Sequence, residues 1–253
     1  MNTLQRRSDG QRSLKAAVYA FLFLLLVSYP LVVYLFKLGA ISENGANDIL
    51  TALLSFFFPA IAFSYMLRRG IAPRDLISAV GLGRRSLRPM LLGIGVMIFL
   101  TVFVLTLFVS VASSVTNVSI NTNAGLLINS APLWFIILTM FIGPLDEEIF
   151  FRGFLVPRLG PLVCGILGGI FLGNRFKGSW LQRNQYGVSI VLSAFLFALP
   201  HLAYGSTLGI DAIAAFIFGL IAGYVYRKTN SLYPSYIAHV LNNSLAVLAL
   251  GGM

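Results

Sequence analysis

Seven long apolar runs, separated by short basic or polar stretches, constrain this chain more than any other feature. A helix crossing a bilayer needs about 20 mostly apolar residues. Runs of that kind occupy residues 16–38, 49–67, 89–112, 131–157, 188–203, 210–226 and 232–250. Only 10% of the 253 residues are charged, against about 25% in an ordinary soluble domain. The mean hydropathy of +0.87 agrees. Disorder, a collagen-like repeat and a disulfide scaffold are excluded, and Cys164, the single cysteine, can form no intrachain bridge. A net charge of +10 would suggest a nucleic-acid partner in a soluble protein. In a membrane protein it is the expected surplus of Lys and Arg in cytoplasmic loops, so no nucleic acid is implied.

The position of those cations orders the spans. The first run follows Arg6, Arg7, Arg12 and Lys15, exceeds the roughly 7–15 residues of a signal-peptide core, and lacks a small-residue cleavage site. It reads as a retained anchor with a cytoplasmic N-terminus. A shorter Gly-rich run at 161–173 is ambiguous. If it does not cross, seven spans place 17 of the 18 Lys and Arg in the cytoplasm and leave only Lys37 outside. If it crosses, giving eight, the split falls to 12 against 6. The charge rule favours seven. Gly165, Gly169 and Gly173 recur every fourth residue, a ridge suited to close helix packing, so the segment is expected as a short helix docked on or dipping into the cytoplasmic side. The expected fold is an all-α polytopic helical bundle with its site buried inside. Its parts are a basic cytoplasmic N-terminus (1–15), helices 1–3 (16–130, ending in the polar external loop 113–130) and a core (131–253) carrying an insert at 161–186.

Ionisable groups are expensive within a span and mark function by default. Among Asp, Glu and His, those well inside a run are Asp146, Glu147 and Glu148 on the fourth span, His201 on the fifth and His239 on the seventh, with Asn242 and Asn243 a turn beyond. At about 1.5 Å per residue, Glu147 and His201 lie about 20 Å from the cytoplasmic ends of their helices, Asn243 about 18 Å and His239 about 12 Å. The depths coincide only if these three helices share a cytoplasmic end, as the seven-span topology provides. His239 and Asn243 share a helix face, and Glu148 and Arg152 are spaced for an ion pair, which leaves Glu147, about 100° around, to face a cavity. Taken singly, each has a plainer reading. A lone His can simply bond a neighbouring helix, a Glu–Arg pair can be glue, and Phe197, one turn before His201, reads as core packing. The convergence argues for a site.

These residues carry a likeness. Glu147-Glu148-Ile149-Phe150-Phe151-Arg152-Gly153 resembles the Glu-Glu-x-x-x-Arg motif of the CAAX-protease and bacteriocin-processing (CPBP, or Abi) family. Phe197 to His201 resembles its Phe-x-x-x-His motif, and His239 to Asn243 its His-x-x-x-Asn motif. The likeness covers about 132–246 and includes the type II CAAX prenyl endopeptidases, which are intramembrane proteases. It implies Glu147 as general base on a water with His201 assisting, His239 and Asn243 stabilising the oxyanion, and Glu148, Arg152, Phe197 and Asn242 in support. Peptide hydrolysis needs such a base and such donors. From the two His and two Glu available, Glu147, His201 and His239 could equally hold zinc, with a position open for water. The residues leave a metal-free glutamate mechanism and a zinc one both open. The family's second motif usually follows the first after a short turn, so the insert at 161–186 is a departure placed at the cytoplasmic mouth. The implied partner is a membrane-associated peptide or protein substrate, and the expected location is the plasma membrane. Two rival functions are a proton-coupled transporter, against which no inverted repeat is visible, and a non-catalytic immunity or scaffold factor, against which all four catalytic-type residues are retained.

Overall fold

The computed structural model describes residues 57–83, 87–105, 136–176, 179–202 and 210–251, with scattered positions in 19–40 and 107–111. The basic N-terminus 1–15 and the loop 113–130 lie outside the described residues. All regular structure among the described residues is helical. The chain divides into two compact units, 1–77 and 78–253. In the first, helix α1 (57–68) buries Phe58, Ala62 and Met66, one residue per turn on a single face.

The second unit contains α2 (Leu87–Phe99, continuing as a wider π-turn over Leu100–Leu105), α3 (136–155), α4 (Leu159–Phe171), α5 (Gln185–Ala198, tightening to a 3-10 turn over Leu199–Leu202), α6 (Ile210–Thr229) and α7 (Tyr233–Gly251). These agree with the apolar runs to within a few residues. Two helical stretches among the described residues are long and apolar enough to cross a membrane, Met140–Phe171 (α3, a turn at 156–158, then α4) and Ala212–Thr229. The apolar helices Met90–Phe99 and Gln185–His201 are shorter.

Proline shapes α3. Pro144 has no N–H to offer the carbonyl four residues back, and the helix widens over Leu138–Ile142, where Gly143 N–H reaches Leu138 O instead. A second π segment, Ile149–Leu155, ends where Val156 N–H bonds Phe151 O at 3.2 Å, one residue before Pro157. Arg158 then donates to the carbonyls of Gly153 and Phe154, both at 3.1 Å, a cation closing a helix C-terminus. Two carbonyls at this end of α3, already bonded by Val156 and Arg158 N–H, take a second donor from α5. Buried Ser193 donates to Phe151 O at 2.7 Å, and buried Ser189 to Leu155 O at 3.3 Å. Ser189, Ser193, Phe197 and His201 follow at four-residue steps, so the stripe that bolts α5 to α3 leads directly to the histidine.

Small residues set the remaining spacings. A Cβ at Gly219 would lie 2.9 Å from the Ala194 backbone, and one at Gly93 would lie 2.9 Å from the Pro234 ring, so α6 packs tightly on α5 and α2 on α7. A Cβ at Gly153 would meet Val80 O at 2.8 Å, which explains the glycine directly after Arg152. The expected ridge on α4 is shifted by one position. Gly165, Gly169 and Gly173 are exposed and open, whereas Gly160, Cys164 and Gly168 are buried. Gly160 causes the rotation: its N–H donates to Ser189 Oγ at 2.7 Å, and a Cβ there would collide with the Gln185 carbonyl. Gly160→Ala is therefore expected to destabilise by more than the roughly 1–3 kcal/mol of ordinary overpacking, and Gly165→Ala to be neutral or stabilising. Thermal unfolding of the two variants side by side checks this, and equal midpoints would contradict it.

Candidate active site

Three helices bring the polar residues together. On α3, Glu148 is fully buried and pairs with Arg152, one turn on, with Arg152 Nη1 3.0 Å from Glu148 Oε1. The contact is an ion pair by distance but off-line for a hydrogen bond, and both Arg152 Nη atoms and Glu148 Oε2 lack hydrogen-bond partners among the described residues. Aromatic faces surround the guanidinium instead. Its carbon lies 4.2 Å from the Phe197 ring centre on α5, 5.3 Å from Phe218 on α6 and 6.0 Å from Phe151.

His239 on α7 links the two glutamates. Its Nδ1 stands 3.1 Å from Glu148 Oε1, and since a carboxylate only accepts, Nδ1 carries the proton. Its Nε2 faces Glu147 Oε2 at 3.7 Å, beyond direct hydrogen-bonding reach. Glu147 differs from its neighbour in access, with 27% of its side chain exposed against none for Glu148. The 100° offset between adjacent helical positions thus separates a sealed carboxylate from an accessible one.

His201 joins the group through Phe197. The Phe197 ring lies 5.1 Å from the His201 ring and 5.8 Å from that of His239. His201 Nδ1 donates to Phe197 O at 3.1 Å, which leaves Nε2 as the nitrogen with the lone pair. Asn243 is half-buried one turn beyond His239, and Asn242 is exposed. Asp146 is buried one residue before the pair.

Two contributors were not legible as site residues. Ser235 is buried one turn before His239 and donates to Leu232 O at 3.1 Å, on the face that presents His239 to Glu148. Its four-residue spacing from His239 was an available signal. Phe218, 5.1 Å from the His239 ring, carried none, being one aromatic among many in α6.

The donor set does not form a ready zinc site. Among the described residues, Glu147, His201 and His239 with them, no three His, Cys, Asp or Glu side chains gather as a metal-binding group. Glu148, moreover, is occupied by Arg152 and His239.

What the geometry defines is an all-helical protein in which two glutamates, two histidines and an arginine meet between helices. Comparison with known proteins bears on the part of the chain that carries these residues. Residues 129–245 match the family model described as "Type II CAAX prenyl endopeptidase Rce1-like", so the segment bearing all three motifs is similar to that family, and the likeness read from the motifs is borne out. A protein of Schizosaccharomyces pombe named "Probable CAAX prenyl protease 2" is 26% identical over 117 residues, 45% of this chain. The match spans 40% of that relative's length. No solved structure matches.

Proposed function

We propose that this chain is an intramembrane endopeptidase of the CAAX-protease type, hydrolysing a peptide bond in a membrane-associated protein or peptide. One observation carries the reading: His239 stands between an accessible carboxylate, Glu147, and a sealed one, Glu148, which Arg152 holds. The 3.7 Å between Glu147 Oε2 and His239 Nε2 lets one water oxygen reach both at ordinary hydrogen-bond lengths of ~2.8 Å.

In the reaction, Glu147 takes a proton from that water as its oxygen bonds the scissile carbonyl carbon. The proton passes to the amide nitrogen as the C–N bond breaks, releasing an amine and a carboxylic acid, whose remaining proton then moves to the amine to give carboxylate and ammonium. His239, oriented by Glu148 through Nδ1, and the Asn243 amide are placed to stabilise the developing oxyanion. His201, whose Nδ1–H is tied to Phe197 O, offers Nε2 as an acceptor to orient the water. Glu148, Arg152 and Phe197 position His239, and no step is assigned to zinc.

The proposed frame is seven spans in the cell membrane with the N-terminus cytoplasmic, the C-terminus outside, residues 131–253 as the catalytic core and 161–186 as its insert. A cysteine placed at Gly252, in a protein whose own Cys164 is buried, is expected to react with an impermeant reagent only from outside the cell. Labelling only from the cytoplasm would mean an even number of spans. For the chemistry, co-expression with tagged membrane-anchored peptides should yield cleavage that Asn243→Ala lowers about 10²–10³-fold, the loss expected for one oxyanion donor. Unchanged cleavage would remove Asn243 from the site.

A further inference from the structure

The insert between the first two motifs has a feature that the catalytic reading does not use. Helix α4 (Leu159–Phe171) is packed along one face, through Gly160, Cys164 and Gly168, against α5, and bare along the other. The bare side and the segment after it carry Ile166, Leu167, Ile170, Phe171, Leu172 and Trp180. Exposure climbs toward the tip, from 40% at Ile166 to 68% at Ile170 and 77% at Phe171, and Trp180 is 65% exposed. Large apolar side chains placed contiguously in water would be costly, each at roughly 1.5–3 kcal/mol relative to burial.

Three observations say what covers them. First, α4 has 13 residues, so it is about 20 Å long and cannot cross a hydrocarbon core of about 30 Å. Second, the tip is followed by exposed Arg175 and Arg183, with Lys177 between them in the sequence, and no Asp or Glu occurs anywhere between Glu148 and Asp211. That charge pattern complements phosphate and opposes none of it. Third, Trp180 opens the turn Trp180–Arg183, capped by Ser179, whose hydroxyl accepts from Gln182 N–H at 3.3 Å. A tryptophan beside arginines is the usual composition of a segment lying at headgroup level.

We propose that the α4 tip is a lipid-immersed anchor: Ile166, Ile170 and Phe171 lie among phospholipid acyl chains of one leaflet, while Arg175 and Arg183 engage lipid phosphates and Trp180 sits at the interface. The element dips into the leaflet and returns without crossing. Because α4 is fastened to α5, the helix that carries His201, the anchor fixes the height of that helix relative to the bilayer. The inference is independent of the reaction assigned to the site.

The test uses the full chain in phosphatidylcholine nanodiscs. Trp134 and Trp180 are the two tryptophans, so Trp134→Phe leaves Trp180 as the sole reporter. A second protein combines Trp134→Phe, Trp180→Phe and Phe171→Trp. Lipids brominated high on the acyl chain are expected to quench Trp180 at least twofold, and mid-chain bromines to quench the tryptophan at 171 more strongly than shallow ones. Aqueous iodide should quench neither appreciably. Strong iodide quenching at both positions would overturn the proposal by placing the tip in water. Shielding from bromine and iodide alike would overturn it by placing the tip against protein. If the Phe171→Trp protein fails to fold, Trp180 alone decides between these outcomes.

Discussion

Glu147→Gln is expected to lower peptide hydrolysis by about 10²–10⁴-fold, the range for loss of a positioned general base, with little change in folding. The substitution keeps the side chain's shape and removes its proton acceptor. Because Glu147 is the accessible member of the pair and its contact with His239 is 3.7 Å, the structure loses no short hydrogen bond when the charge goes. The same change at Glu148 would be different in kind. It weakens the Arg152 pair and the 3.1 Å bond that fixes the His239 tautomer, so stability and activity should fall together. Purified Glu147→Gln protein should therefore match the parent in thermal unfolding while cleaving almost nothing. Substitutions at His201 and His239 should be comparably severe, and combining either with Glu147→Gln should cost little more, since residues acting on one water are not additive. A zinc mechanism would instead show sensitivity to chelators and stoichiometric metal that disappears with the histidines. Full activity in Glu147→Gln would remove the glutamate from the chemistry in either case.

Much of this arrangement could be read from the chain because its signals are local and costly. A Glu or His inside an apolar run has few neutral explanations, and four-residue spacing puts Glu148 with Arg152, and His239 with Asn243, on common faces without any tertiary knowledge. Common depth then brought α3, α5 and α7 together. What escaped depended on contacts between helices. Ser189 and Ser193 look like ordinary small polar residues until α5 is packed on α3, where they bond the Leu155 and Phe151 carbonyls. The first widening of α3, before Pro144, escaped in the same way, because in sequence that proline merely sits inside an apolar run. The ridge on α4 was misplaced for a related reason. Gly165, Gly169 and Gly173 and the packed set Gly160, Cys164 and Gly168 both have helical period, and only the close approach of Gly160 to Gln185 selects between them.

The largest loss of stability is expected from Arg152→Ala. Arg152 is 1% exposed and Glu148 is fully buried, so truncation leaves an uncompensated carboxylate and an empty space between Phe151, Phe197 and Phe218. Breaking a buried pair by removing one partner costs about 3–5 kcal/mol. The loss of the cation from its aromatic surround adds to this. Removing both charges should be milder, because Glu148→Gln with Arg152→Met strands no charge and retains most of the volume. The double variant is thus expected to unfold at a higher temperature than Arg152→Ala while remaining inactive, since His239 would lose its charged partner on Nδ1. Thermal unfolding in detergent or nanodiscs, read beside cleavage of the tagged peptide, distinguishes the roles. An Arg152→Ala protein with the parent's unfolding temperature and no activity would move Arg152 out of its supporting place and into contact with the substrate. A double variant no more stable than Arg152→Ala would mean that packing around the guanidinium, rather than the stranded Glu148 charge, sets the cost.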